Sequence, residues 1–233
     1  MNLELDFTPY YKLTLPISKK TVTYRPYLVG EEITFITHVE TKEVKDLIYS
    51  LIELTKNCVK EPDVFDNMNL IDFTYLAANI RGKSKGETVS LKKKCPKCEI
   101  EMIGDFDVSK DLKVNNLDNA KLIVPISDDV KLEIRVLPYT HLIDMLNLSD
   151  EAILELVTVA SCISTVINKG KIIKDFTLDD VYQNIVTKLS SKQLKLLVDE
   201  MKKLPTIVGH VDFKCHCGYE DKYEVNNILN FLS

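Results

Sequence analysis

Alternating apolar and polar positions recur in short stretches along the chain, and helical spacing fills the intervals between them. Residues Lys12 to Leu15 and Thr21 to Tyr27 alternate and are rich in β-branched and aromatic side chains on either side of Pro16 to Lys20. That pattern predicts an N-terminal β-hairpin. Val44, Leu47, Ile48, Leu51, Ile52 and Val59 then follow helical spacing, with Thr41 placed to cap the helix and Glu43 in its first turn. A second helix is predicted from about Asn69, carrying Leu70, Phe73, Thr74, Ala77 and Ile80 on one side. It should end at Arg81-Gly82, where glycine permits a left-handed cap. The stretch Gly82 to Gly86 resembles a phosphate loop in composition, but it lacks the G-x-x-x-x-G-K-S/T spacing, and a polar turn is the better reading.

Strand patterns return at Glu87 to Lys94 and Glu99 to Val108, with Cys95-Pro96-Lys97-Cys98 at the reversal and Ile100, Met102, Phe106 and Val108 supplying the apolar positions. Another hairpin is predicted from Leu122 to Ile126 and Val130 to Val136, turning at Ser127-Asp128-Asp129. Pro138 suits the first turn of a short helix through His141 to Leu146, and Ser149, Asp150 and Glu151 open a buried helix extending to about Ile167. Thr177 caps a helix with Val181, Ile185 and Leu189; Ser190 and Gln193 make a capping-box pattern ahead of Leu194, Leu197, Val198 and Met201. After Pro205, Ile207 to Lys214 and Tyr219 to Val225 form a last hairpin around Cys215-His216-Cys217-Gly218, followed by a short helix from Asn226 to Leu232. The expected fold class is α+β, with antiparallel β-hairpins joined at a zinc-ribbon-like four-cysteine site and a helical insertion between the two knuckles. The expected domains are residues 1–110 with the first knuckle, a mainly helical insertion over 111–205, and residues 206–233 with the second knuckle, packing back on 87–108.

Composition narrows the class. A hydrophobic content of 45% over 233 residues, with only seven Gly and eight Pro, is that of an ordered globular chain. The formal net charge of −5 gives no overall field attracting phosphates, and only the Lys92-Lys93-Lys94 run with Lys97 offers a local basic patch. Such a run is most simply a solvated strand end. The apolar segment Ala152 to Ile167 is interrupted by polar residues and is shorter than the roughly 20 residues of a membrane span. Met1 to Pro9 has no basic region ahead of an apolar stretch, so a secretory signal is not expected and the chain should fold in a reducing cytosol. In that compartment six cysteines favour metal for the paired ones and a core role for Cys58 and Cys162.

Two knuckles each offering two sulfurs satisfy the tetrahedral preference of zinc, which makes Cys95, Cys98, Cys215 and Cys217 the expected ligands. The second pair has one intervening residue, so His216 is an alternative ligand to one of its neighbours. A four-thiolate site has no open coordination position and is structural. His38, His141 and His210 show no H-x-x-x-H spacing, no G-x-S-x-G elbow occurs, and Asp128-Asp129 and Asp179-Asp180 suit a turn and a helix start. Neither catalysis nor a small-molecule substrate is expected.

Leu15-Pro16 with its hairpin, then Leu70-Ile71-Asp72, then Arg81-Gly82-Lys83-Ser84-Lys85-Gly86 ahead of a strand and a cysteine knuckle form an ordered series. Over roughly the first 110 residues this series resembles the T4-type bacteriophage baseplate protein family, in which an L-P opening, an aspartate-bearing helix and an R-x-x-S-x-G turn recur. The C-terminal half matches no pattern of that family. The resemblance implies a small subunit of the contractile-tail baseplate hub, or a factor for assembling it, made in the host cytoplasm and located in the virion tail, with other phage tail baseplate proteins as partners. The competing class is a zinc-ribbon nucleic-acid-binding accessory protein of a phage, disfavoured by the acidic balance and the lack of an aromatic-basic face.

Overall fold

In the computed structural model the described residues are 7–40, 44–146, 148 and 150–225. Internal contacts divide the chain into two units, one made of residues 1–66, 72–115 and 207–233, the other of 67–71 and 116–206.

The first unit begins with the antiparallel hairpin β1 (Tyr11–Thr14) and β2 (Thr21–Tyr24), in which Leu13 faces Val22. Helix α1 (Val29–Glu40) follows, in a stretch to which helical spacing assigns no element. Helix α2 (Val44–Asn57) buries Ile48, Leu51 and Ile52, the positions that its periodicity marks. Helix α3 (Leu70–Lys85) buries Phe73, Leu76, Ala77 and Ile80. It passes through Gly82 and stops one turn later than expected, because the left-handed residue is Gly86, with φ of 107°. The hairpin β3 (Thr88–Lys94) and β4 (Glu101–Asp107) comes next, then the one-turn helix α4 (Val108–Asp111) and strand β5 (Lys113–Asn115).

The second unit combines its helices with an antiparallel sheet. Strands β6 (Lys121–Pro125) and β7 (Val130–Arg135) form the predicted hairpin. Helices α5 (His141–Leu146) and α6 (Glu151–Cys162) follow, and then the chain turns to strand β8 (Ile163–Asn168), which pairs with β7. The apolar run read as one helix is therefore a helix and a strand. Ile163, Thr165, Val166 and Ile167 are β-branched and favour extended backbone, and no glycine or proline marks the change. Strand β9 (Lys171–Ile173) completes an antiparallel sheet of order β6-β7-β8-β9. Val124, Leu132, Ile134, Ile163 and helical residues Val159, Val181 and Leu197 share one core. Helices α7 (Leu178–Asn184) and α8 (Ser191–Met201) both start with capping boxes, Thr177 with Asp180 and Ser190 with Gln193. Helix α7 is shorter than expected, and a 3-10 turn at Val186–Lys188 takes over before Leu189. Pro138 lies ahead of α5 instead of inside it, bridged to Asn69. Asp150 caps α6 by accepting the N–H groups of Ala152 and Ile153.

Strands β10 (Thr206–Lys214) and β11 (Glu220–Val225) return the chain to the first unit, in a sheet of order β11-β10-β5. The expected cap at Thr41 with Glu43, the opening residue Ser149 and the helix over Asn226 to Leu232 lie outside the described residues.

Candidate metal centre

The two knuckle hairpins meet through their glycines. In β3–β4, Leu91 pairs with Gly104 and Val89 with Phe106; in β10–β11, Gly209 pairs with Val225 and Phe213 with Asp221. A Cβ on Gly104 would press into Val211 and Phe213, and one on Gly209 into the ring of Phe106. All three of these side chains are buried. The absent side chains thus let the two hairpins approach face to face, leaving no spare volume between them. A glycine inside a strand pattern is the available signal for such an approach, and hydrophobic periodicity alone marks neither.

At the end of this contact lie the cysteines. The Cys95 N–H donates to the Ile100 carbonyl at 2.9 Å and the Cys95 carbonyl accepts the Glu99 N–H at 2.9 Å, while the Cys215 N–H donates to the Tyr219 carbonyl at 2.8 Å and its carbonyl accepts the Gly218 N–H at 3.0 Å, so two backbone bonds close each knuckle. Each reversal uses a left-handed residue, Glu99 with φ of 59° in the first and Gly218 with φ of 82° in the second. The second loop is one residue shorter, which accommodates C-x-C where the first has C-x-x-C.

Across the hairpins, Cys98 Sγ lies 3.4 Å from Cys215 Sγ, and Cys95 Sγ lies 3.7 Å from Cys217 Sγ. All four sulfurs lie within 4.8 Å of one another. Four sulfurs bound at about 2.3 Å around a tetrahedral centre are separated by about 3.8 Å, so the donor set and its spacing fit a tetrahedral thiophilic ion. The separations are far longer than the roughly 2.05 Å of a disulfide. His216 is exposed, with its Nδ1 3.7 Å from Cys215 Sγ, and the mutually close group consists of the four thiols alone. Cys95 is buried while Cys217 is exposed, so the cluster opens to solvent on one side.

The thiols influence one another. Burial disfavours the Cys95 thiolate, but N–H groups of Lys97 and Cys98 and the thiols of Cys215 and Cys98 stabilise it, and the net effect brings it down to about 7. Cys98 is favoured as thiolate by the Ile100 N–H, yet burial and its bonds to Cys215, Cys217 and Cys95 push it up to about 12. One thiolate forms readily and the next is resisted, as expected where like charges share a small volume without a cation. Cys58 and Cys162 stand outside the group, are buried, and have thiols pushed up to about 12 by burial. They occupy core positions.

Lysines beside the knuckles make contacts within the chain. Lys92 pairs with Glu101 at 3.0 Å and Lys93 with Asp221, while Lys97 lies over the Tyr219 ring at 5.6 Å. The Lys93 and Lys97 contacts join the first hairpin to the second. Glu101 and Asp221 thus offset two charges of the basic run, which weakens it as a phosphate-binding patch.

The short motifs of the N-terminal half also make ties inside the first unit. The Asp72 carboxylate, fully buried, accepts the N–H of Ile17 at 2.8 Å and that of Ser18 at 2.9 Å, holding the turn after Leu15-Pro16 against α3. Arg81 donates to the Gly86 carbonyl at 3.0 Å, and Ser84 accepts the Tyr27 N–H at 3.0 Å while donating to the Ile80 carbonyl at 2.7 Å. Arg81 and Gly82 are buried, so the segment expected as a loop is the anchored end of α3, and only Lys83, Lys85 and Gly86 project to solvent.

Among the described residues no helix is long and apolar enough to cross a membrane. A family model described as T4 bacteriophage base plate protein matches residues 8–233, both knuckles and the segment between them included. The match extends well beyond the N-terminal portion that short motifs mark. No curated protein and no solved structure matches the chain.

Proposed function

The chain belongs to the T4 bacteriophage base plate protein family, and from that membership we propose that it is a structural or assembly subunit in the hub region of a contractile tail baseplate. It is made in the host cytoplasm and acts in the virion tail by binding other baseplate proteins. It has no catalytic role. The observation that carries this reading is the family match across nearly the whole chain.

Within that role, Cys95, Cys98, Cys215 and Cys217 hold one structural zinc ion. The support is the closeness of four sulfurs drawn from two hairpins 117 positions apart in sequence. Bound zinc supplies a charge that stabilises all four thiolates and links the hairpins, with every coordination position filled by protein. The resulting domain presents a fixed surface to its partners, which is what an adaptor requires.

Mass spectrometry of purified particles and of tail intermediates from infected cells tests the assignment, with this chain expected in the particles or in the intermediates at a fixed ratio. Its absence from both overturns the assignment. Metal analysis of protein purified without chelator should give one zinc per chain, and a value well below one removes the zinc. Retention on DNA that falls steeply with salt favours the nucleic-acid reading instead.

A further inference from the structure

The knuckle hairpins are held face to face by apolar side chains, since the Phe106 ring of β4 lies over Gly209 while Val211 and Phe213 of β10 lie over Gly104. That packing fixes how the two ends carrying the cysteines meet. The sulfur pairs in direct contact both run from one hairpin to the other, Cys98 to Cys215 at 3.4 Å and Cys95 to Cys217 at 3.7 Å. A disulfide of about 2.05 Å requires each pair to close by roughly 1.5 Å, a shift divided between two side chains.

Bonds within the second knuckle are disfavoured by contrast. Cys215 and Cys217 have one residue between them, and their turn is already closed by the Gly218 N–H on the Cys215 carbonyl and the Cys215 N–H on the Tyr219 carbonyl. A disulfide there closes a small ring and strains both bonds. Without it, complete pairing of the four thiols has to cross between the hairpins, and the observed contacts select Cys98 with Cys215 and Cys95 with Cys217. The cluster also admits a small oxidant, because Cys217 is exposed while its partner Cys95 is buried.

We propose that Cys95, Cys98, Cys215 and Cys217 are a site of oxidative modification, at which hydrogen peroxide converts the thiolate clamp into two disulfides, Cys95 to Cys217 and Cys98 to Cys215, that join the same two hairpins. The inference rests on the zinc-bound clamp proposed above. The Cys217 thiolate attacks one peroxide oxygen, the O–O bond breaks, and Cys217 becomes a sulfenic acid as hydroxide leaves. The Cys95 thiolate then attacks the Cys217 sulfur and expels a second hydroxide. Cys98 and Cys215 react in the same way with a second peroxide. Each peroxide accepts two electrons from two sulfurs, and the four hydroxides take up four protons from solvent as water. With its thiolates consumed, the site no longer holds zinc. In a particle that has left the reducing host cell, covalent bonds would then keep the hairpins joined.

The test treats the full chain, purified with its metal, with two equivalents of hydrogen peroxide, blocks the remaining thiols and digests the denatured protein with trypsin. Cuts after Lys94, Lys97, Lys110, Lys214 and Lys222 put Cys95 and Cys98 on separate peptides and leave Cys215 and Cys217 on one. Two cross-hairpin disulfides join these three peptides into a single species. Fragmentation of its backbone between Cys215 and Cys217 should show the Cys98 peptide on Cys215 and the Cys95 peptide on Cys217. Zinc release, followed with a chromogenic chelator, should reach one ion per chain. The oxidised chain should melt within a few degrees of the zinc-bound one and well above a chain stripped by chelator with its thiols reduced. A link between Cys95 and Cys98 beside an internal Cys215 to Cys217 loop overturns the proposal. So do the opposite cross-pairing, disulfides between chains, and sulfinic or sulfonic products without a link. Protein that carries no zinc as purified defeats the metal reading of the site, and the same peptide map, made from its free thiols, then decides the pairing separately.

Discussion

Glu31 shows how much one side chain organises locally. Its carboxylate receives the Arg25 guanidinium and the Leu28 N–H, and both partners of the ion pair are less than a quarter exposed. The hydrogen bonds from Arg25, offset in part by burial, hold its pKa below the usual 4.5. A carboxylate whose folded value is lowered adds stability that is complete above the unfolded value and is lost as pH falls through the folded one. Glu31→Gln should therefore cost about 1–2 kcal/mol near neutral pH, and the difference from wild type should vanish as pH drops through the lowered Glu31 value. Urea unfolding from pH 7 to pH 3 measures this, and equal midpoints at neutral pH would show that the pair contributes nothing. At this scale the four cysteines were legible because thiol pairs at short spacing in a reducing setting point to metal whatever the fold. Gly104 and Gly209 were not, because the need for a missing side chain is created by Val211, Phe213 and Phe106 arriving from the opposite hairpin.

Among the elements, Asp72 joins one that is stable locally to one that is not. A two-stranded hairpin is marginal by itself, and β1–β2 gains a fixed turn because a buried carboxylate on α3 accepts two of its N–H groups. Asp72→Ala leaves those groups without this acceptor and should destabilise the chain by about 2 kcal/mol, while Asp72→Asn, which keeps one acceptor oxygen, should cost about half as much. Thermal unfolding of both variants decides it, and an alanine variant no worse than the asparagine one removes the tie. The same contrast explains which elements could be read in advance. The hairpins and capping boxes were legible because their signals are local: β-alternation around a turn, and Ser or Thr three residues ahead of Gln or Asp. Helix α1 was not, since Val29, Ile33 and Ile36 face water while Glu31 and Glu32 pair with Arg25 and Lys85, so its pattern describes a surface that its own core does not use. Strand β8 was hidden in an apolar run because burial favours apolar residues in helix and strand alike, and only β-branching distinguishes Ile163 to Ile167 from the helix before it. Gly82 carries the sequence signal for the end of α3, whereas Ser84 and Arg81 bind the last turn and Gly86 ends it.

In the whole molecule, β10 lies beside β5 in one sheet although residues 116–206 intervene, so the first unit is assembled from segments at both ends of the chain. Closing so long a loop carries an entropic cost, and the proposed metal link between Cys95-Cys98 and Cys215-Cys217 would offset it by joining the late segment to the early one. The first unit should therefore respond as one body when the link is cut. Cys215→Ser, or removal of metal by chelator, is expected to cost about 3 kcal/mol and to lower the melting temperature by roughly 6–12 °C. Hydrogen exchange should show protection lost together in β10–β11, α2 and α3, with α6 to α8 of the second unit keeping theirs. Because the proposed zinc would compete with protons for four thiolates, acidification should reproduce the change in wild type and leave the Cys215→Ser protein much less affected over the same pH range. Loss confined to β10–β11, with α2 and α3 as protected as before, would mean that the clamp steadies only its own hairpin and that the N-terminal segments fold without it.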